Sequence, residues 1–126
     1  MDYRNGLLVV GFFHTQFHLY SVNKDDTGIT LIKNFDFIVK QIQMCKFLSD
    51  KELFVSFYGD GFWTYHLGKD NTWTRRIAKK KAKDTKINCL IKIGKTKYLC
   101  YDWDKCRYII WDSKKNTLAL WSNRIL

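Results

Sequence analysis

The sequence predicts an all-β chain of tandem four-stranded antiparallel meanders, and three observations predict it. Short runs of β-branched and aromatic residues recur about every ten positions between turn residues, with little helical periodicity. The chain also repeats itself at an offset of 45 to 46 residues without a gap. Leu8-Val9-Val10 falls on Leu53-Phe54-Val55, Phe12-Phe13 on Phe57-Tyr58, Phe17 on Phe62, Tyr20 on Tyr65 and Val22 on Leu67. A further offset of 46 carries Leu53 to Leu99, Phe57 to Trp103, Phe62 to Tyr108, Trp63 to Ile109 and Tyr65 to Trp111. Such a period marks one supersecondary unit used about three times. Finally, the third strand of a unit is apolar on both sides: Phe62 and Thr64 against Trp63, Tyr65 and Leu67, then Tyr108 and Ile110 against Ile109 and Trp111.

The elements follow in order. With the strands of a unit called a to d, the first unit, residues 7–38, has strands at 7–13, 17–23 and 28–35. It is expected to lack strand a, because only Met1 to Gly6 precede Leu7. The second unit, residues 41–82, is complete, with strands at 41–48, 52–58, 62–68 and 72–78. The third, residues 87–126, runs through 87–93, 97–103, 107–112 and 117–122. Short polar connections make hairpins of b to c and c to d: Gly59-Asp60-Gly61 is the clearest b to c turn, and Lys69-Asp70-Asn71 and Lys114-Lys115-Asn116 are c to d turns.

A sheet with one wet face would not be apolar on both sides of strand c. Four-stranded sheets stacked face to face would, which is the blade packing of a β-propeller. Fewer than three full blades cannot close a ring, since propellers use about four to eight. The chain is therefore expected to be an incomplete propeller, completed by another copy or another protein, or a piece of a larger one. The alternative is a β-trefoil, which closes with three four-stranded repeats in about this length.

Strand c of the third unit, Arg107-Tyr108-Ile109-Ile110-Trp111-Asp112-Ser113-Lys114-Lys115, resembles a WD40 blade, in which a Trp-Asp dipeptide precedes a polar turn. The second unit, from Ile42 through Phe54-Val55-Ser56-Phe57-Tyr58 to Phe62-Trp63-Thr64-Tyr65, is similar to the a-b-c core of such a blade. The resemblance covers nearly the whole chain. No Gly-His dipeptide precedes a strand a, and Tyr20-Ser21 and Tyr65-His66 stand where Trp-Asp would. What the family implies is a rigid, non-catalytic platform for protein or peptide partners, sometimes for nucleic acid.

At 126 residues, 46% of them hydrophobic and 17% aromatic, the chain suggests a single domain, 1–126, with a packed core. A net charge of +10, with Glu52 the only glutamate, points to acidic partners: nucleic acid, an anionic membrane face or an acidic protein surface. No apolar run reaches the roughly 18 to 20 residues that span a bilayer. Met1-Asp2-Tyr3-Arg4 does not look like a secretory leader, so an intracellular setting, cytoplasmic or nuclear, is expected. Cys45, Cys89, Cys100 and Cys106 match no common zinc spacing and read as reduced, structural thiols, with Cys45 and Cys89 as small core residues.

The densest charge is Arg75, Arg76, Lys79, Lys80, Lys81, Lys83 and Lys86, interrupted by Asp84. In a meander the d to a connection shares a sheet edge with the b to c turns, so this segment joins Lys105 and Arg107 on one basic edge suited to phosphates or carboxylates. Phe13, Tyr58 and Trp103, at the ends of strands b, form a candidate aromatic contact rim there. His14, His18 and His66 fall at different registers and suggest no catalytic arrangement. Asp102 and Asp104 are expected to be solvated. No catalytic residue, metal or cofactor is predicted; the expected partners are a protein or a second copy of the chain, with nucleic acid the alternative.

Overall fold

In the computed structural model, residues 1–12, 16–25, 28–35, 41–58, 61–77 and 85–121 are described, Phe12 and Ile77 by backbone alone. These residues form twelve strands: β1 (Asp2–Arg4), β2 (Leu7–Phe12), β3 (Gln16–Val22), β4 (Ile29–Phe35), β5 (Ile42–Ser49), β6 (Glu52–Phe57), β7 (Phe62–Leu67), β8 (Trp73–Ile77), β9 (Ile87–Lys92), β10 (Lys97–Asp102), β11 (Arg107–Asp112) and β12 (Thr117–Leu120). They make three four-stranded sheets, β1 to β4, β5 to β8 and β9 to β12, each in chain order, and every pairing is antiparallel. Among the described residues no strand of one repeat pairs with a strand of another. A trefoil needs such pairings to close its barrel, so that alternative is set aside.

Residues 2–4 correct the expectation that the first unit lacks strand a. Asp2, Tyr3 and Arg4 pair with Val9, Leu8 and Leu7 as β1. The cause is Asn5-Gly6, whose φ angles of 47° and 80° put both turn residues in the left-handed region. That is the two-residue turn whose twist suits a hairpin, and Asn-Gly is its preferred sequence. The first sheet is therefore complete.

Each sheet has a face A, on the side of the preceding sheet, and a face B, on the side of the following one. Val9, Phe17, Leu19 and Phe35 on face B of the first sheet pack against Leu53, Val55, Phe57, Tyr65 and Trp73 on face A of the second, in one buried cluster. Phe54, Phe62 and Leu48 on the opposite face of the second sheet pack against Leu90, Tyr98, Cys100, Ile109 and Trp111 on face A of the third. The middle sheet is thus covered on both sides, as its doubly apolar strand c predicts.

The observed registers also correct part of the repeat alignment. Leu53 lies opposite Tyr65 and Tyr98 opposite Trp111, so the structural counterpart of Leu53 is Tyr98 rather than Leu99. Likewise Phe57 corresponds to Asp102, not Trp103. The offset is 45 through strand b and 46 through strand c, because the turn after Asp102 is one residue longer than the turn after Phe57. A one-residue slip exchanges the faces of a strand, so this difference decides which side chains meet a neighbouring sheet.

Candidate interaction surfaces

The two covered joints use the same contact. In the first, Phe17 on strand c meets Tyr65 edge-on, with centroids 5.4 Å apart, and Phe35 stacked on Phe17 meets the same ring at 4.9 Å. In the second, Phe62 meets Trp111 edge-on at 5.1 Å, with Phe54 tilted beside it at 5.7 Å. Phe17 and Phe62 occupy one repeat position; Tyr65 and Trp111 occupy another. Such edge-to-face pairs add about 0.5–1.5 kcal/mol each beyond their area.

Polar bonds fix the same joints. Asp2 Oδ2 accepts the Phe47 N–H at 2.8 Å, and Arg4 donates to Asp50 at 2.8 Å. Across the second joint, the buried Ser56 hydroxyl donates to the Ile87 carbonyl at 2.7 Å, Lys46 to the Leu90 carbonyl at 2.9 Å, and Trp103 Nε1 to Gln43 Oε1 at 2.9 Å. Burial pushes the thiols of Cys45 and Cys100 up to about 12, leaving both protonated and inert. Burial also raises Tyr65 and Tyr98. All four cysteines are free thiols, but Cys89 is exposed on face B of the third sheet, which corrects its expected core placement.

The two end faces carry the same kinds of residue and, among the described residues, no neighbouring sheet. Face A of the first sheet presents Tyr3, Leu8, Val10, Tyr20, Ile29 and Leu31, of which Ile29 and Leu31 are each 53% exposed. Face B of the third presents Ile91, Leu99, Tyr101, Tyr108, Ile110 and Trp121. There Tyr101, Tyr108 and Trp121 form an aromatic row with centroids 5.2 and 5.4 Å apart. Tyr108 is 46% exposed, whereas Phe62, its repeat counterpart, is 2% exposed. The Tyr101 hydroxyl is raised above its ordinary value, first by a hydrogen bond with Cys106. Tyr20, half-buried, bonds His18 Nδ1 at 2.9 Å.

Lys79, Lys80, Lys81, Lys83 and Phe13 lie outside the described residues. Arg75 and Arg76 point to opposite sides of β8: Arg75 covers the Trp63 ring at 4.3 Å, and Arg76 donates to the Ser113 and Lys114 carbonyls of the third sheet. The shared edge of the d to a connection and the b to c turns is present, since Gly61 N–H donates to the Thr85 carbonyl and Trp103 N–H to the Lys86 carbonyl. On that edge Lys86 lies 3.6 Å from Asp104 and 5.5 Å from the Trp103 ring centre, and Lys105 is exposed. Tyr58 and Trp103 are exposed beside them. Asp102 corrects the expectation of a solvated charge: it is fully buried, accepts the Lys86 N–H at 3.2 Å, and pairs with Arg107 at 3.1 Å.

The opposite edge holds a feature the sequence reading missed. A groove of about 330 Å³ between the second and third sheets is lined by Glu52, His66, Arg76, Lys92, Lys95 and Lys114, among others. Glu52 lies opposite His66 in the ladder, with their side chains 3.5 Å apart, and His66 Nε2 is 3.3 Å from the Thr64 hydroxyl. The hydroxyl, imidazole and carboxylate stand in the order of a nucleophile relay. Thr64, however, is 5% exposed and does not line the groove, and its hydroxyl also bonds the Arg76 carbonyl. So placed, the hydroxyl is held within the strand ladder rather than in the groove wall. The signal was the hairpin turn, which sets position 52 opposite 66. Among the described residues no three His, Cys, Asp or Glu side chains gather as a metal site, and no helix is long and apolar enough to cross a membrane.

Compared with known proteins, the chain matches no family model and no curated protein.

Proposed function

We propose that the chain is a non-enzymatic, WD40-like propeller segment that acts as an intracellular assembly module, completed by surface from outside the chain. One observation carries this reading: among the described residues, two of the six sheet faces are apolar and uncovered, and they are the outermost two. Contiguous exposed apolar patches of this kind mark interaction sites. The Trp111-Asp112 dipeptide supports the family comparison. Asp112 Oδ1 accepts the N–H groups of Lys115 and Lys114, and the Lys115 bond foremost holds its carboxyl below the usual range. Trp111 Nε1 donates to Asn116, so the dipeptide shapes both the turn and the joint. Four free thiols are in keeping with a reducing compartment.

Arg75, Arg76, Lys86 and Arg107 already serve the fold, which favours assembly over the alternative of a phosphate-binding edge. The test is uptake of an apolar fluorescent dye by the monomeric chain. Saturable binding that Tyr20→Lys and Tyr108→Lys together abolish is expected. A folded monomer that binds no dye contradicts the reading.

A further inference from the structure

The covered joints reveal what fits the bare faces. Phe17 meets Tyr65, and Phe62 meets Trp111; in each joint the face B aromatic of strand c seats on the face A aromatic of the next strand c. Two members of this series are left over. Tyr108 is the third face B aromatic, and among the described residues no sheet packs on it. Tyr20 is the first face A aromatic, and among the described residues no sheet packs on it. The chain therefore carries, at opposite ends, the two halves of a joint that it builds twice within itself. Resting on the assembly reading above, we infer that the occupant of both bare faces is a second copy of the chain, joined head to tail so that Tyr108 of each copy meets Tyr20 of the other and six sheets close a ring.

Symmetry and area agree with this. A head-to-tail contact generates either a closed ring or an open filament. Two copies of three sheets give six, inside the span of about four to eight that propellers use. A face of four strands about 4.8 Å apart and five residues at about 3.4 Å each covers roughly 330 Å². Two joints hide four such faces, on the order of 1,300 Å² in total, which lies within the roughly 1,200–2,000 Å² of stable interfaces. Second aromatics complete the match. Phe35, stacked on Phe17, also touches Tyr65; Trp121, against Tyr108, stands in the corresponding place on the bare face. The two copies, each carrying a net charge of +10, repel at long range, so added salt tightens the dimer.

The experiment is the native mass of the full chain, wild type and variants. Wild type is expected at twice 15.1 kDa. Tyr20→Lys on face A and Tyr108→Glu on face B should each weaken dimerisation by about a hundredfold or more. Mixing the two variants should restore a mixed dimer, because one joint is then wild type and the other pairs lysine with glutamate. A dimer that survives either single substitution is joined face to like face, and overturns the head-to-tail arrangement. The wild-type mass itself depends on no variant folding. A wild-type monomer that takes up the apolar dye overturns the second copy and leaves the assembly reading for an unlike partner; a monomer that takes up none overturns both.

Discussion

Phe62 and Tyr108 hold the same position in successive repeats, yet one is buried in a joint and the other stands nearly half in water. Trp111 and Tyr20 make the same contrast on face A, for Trp111 is 2% exposed and Tyr20 only half-buried. The bare and covered faces share their chemistry. What separates them, among the described residues, is whether another sheet packs on the face, so their difference in exposure reflects a neighbour rather than a change of residue chemistry.

The strongest way to break the comparison is to remove one aromatic of each class. Trp111→Ala should cost about 3–5 kcal/mol in denaturant unfolding, since it empties a covered joint. Tyr108→Ala should cost the isolated monomer distinctly less, about 1–2 kcal/mol, because it removes only the ring contacts with Tyr101 and Trp121. Equal losses would mean that face B of the third sheet is already packed. Next in size is Asp102→Asn, which leaves the Arg107 guanidinium without its buried anion and weakens the start of β9; a loss of about 1–3 kcal/mol is expected from the same unfolding curves.

A smaller effect sharpens the picture at the Trp111-Asp112 turn. The Asp112 carboxyl titrates lower in the folded chain than in the unfolded one, so its contribution is complete above the ordinary carboxyl value of about 3.9 and is lost as pH falls from there through the folded value. Asp112→Asn should therefore flatten the acid side of the stability profile and leave its slope at neutral pH unchanged. Smallest of all is Arg4→Ala. Its ion pair with Asp50 is half exposed on both sides, and thermal melts should show a change of about 0–1 kcal/mol that shrinks with salt.

Much of the fold was legible because aromatic and β-branched runs set the strands and the repeat set their grouping. β1 was not read, since Asp2-Tyr3-Arg4 is short and polar and carries no apolar run. Asn5-Gly6 alone signalled the hairpin, and the bonds from Asp2 and Arg4 to the second sheet complete the case only in three dimensions. The strand b offset failed for a related reason: Tyr98 and Leu99 are adjacent and both apolar, so residue type alone lets either match Leu53, and only the ladder chooses between them.

The surfaces were harder to read than the strands. Arg75 and Arg76 look like one charge cluster in the sequence, but neighbouring strand residues point to opposite sides, and each is consumed by a different sheet contact. Glu52 and His66 are fourteen positions apart and meet only through the ladder register. Exposure of Cys89 likewise could not follow from its apolar neighbours, because strand a of the third sheet has one covered face and one bare one.

Cys89 supplies the most direct measurement of whether the bare face is covered. Its thiol lies on face B of the third sheet, while Cys106 lies in an exposed turn at the sheet edge and Cys45 and Cys100 are buried. Alkylation of the native chain should label Cys106 at once and Cys89 at least about tenfold more slowly at high concentration, with Cys89 catching up as dilution separates the copies. Equal labelling of Cys89 and Cys106 at every concentration would contradict the claim that a second sheet seats on that face.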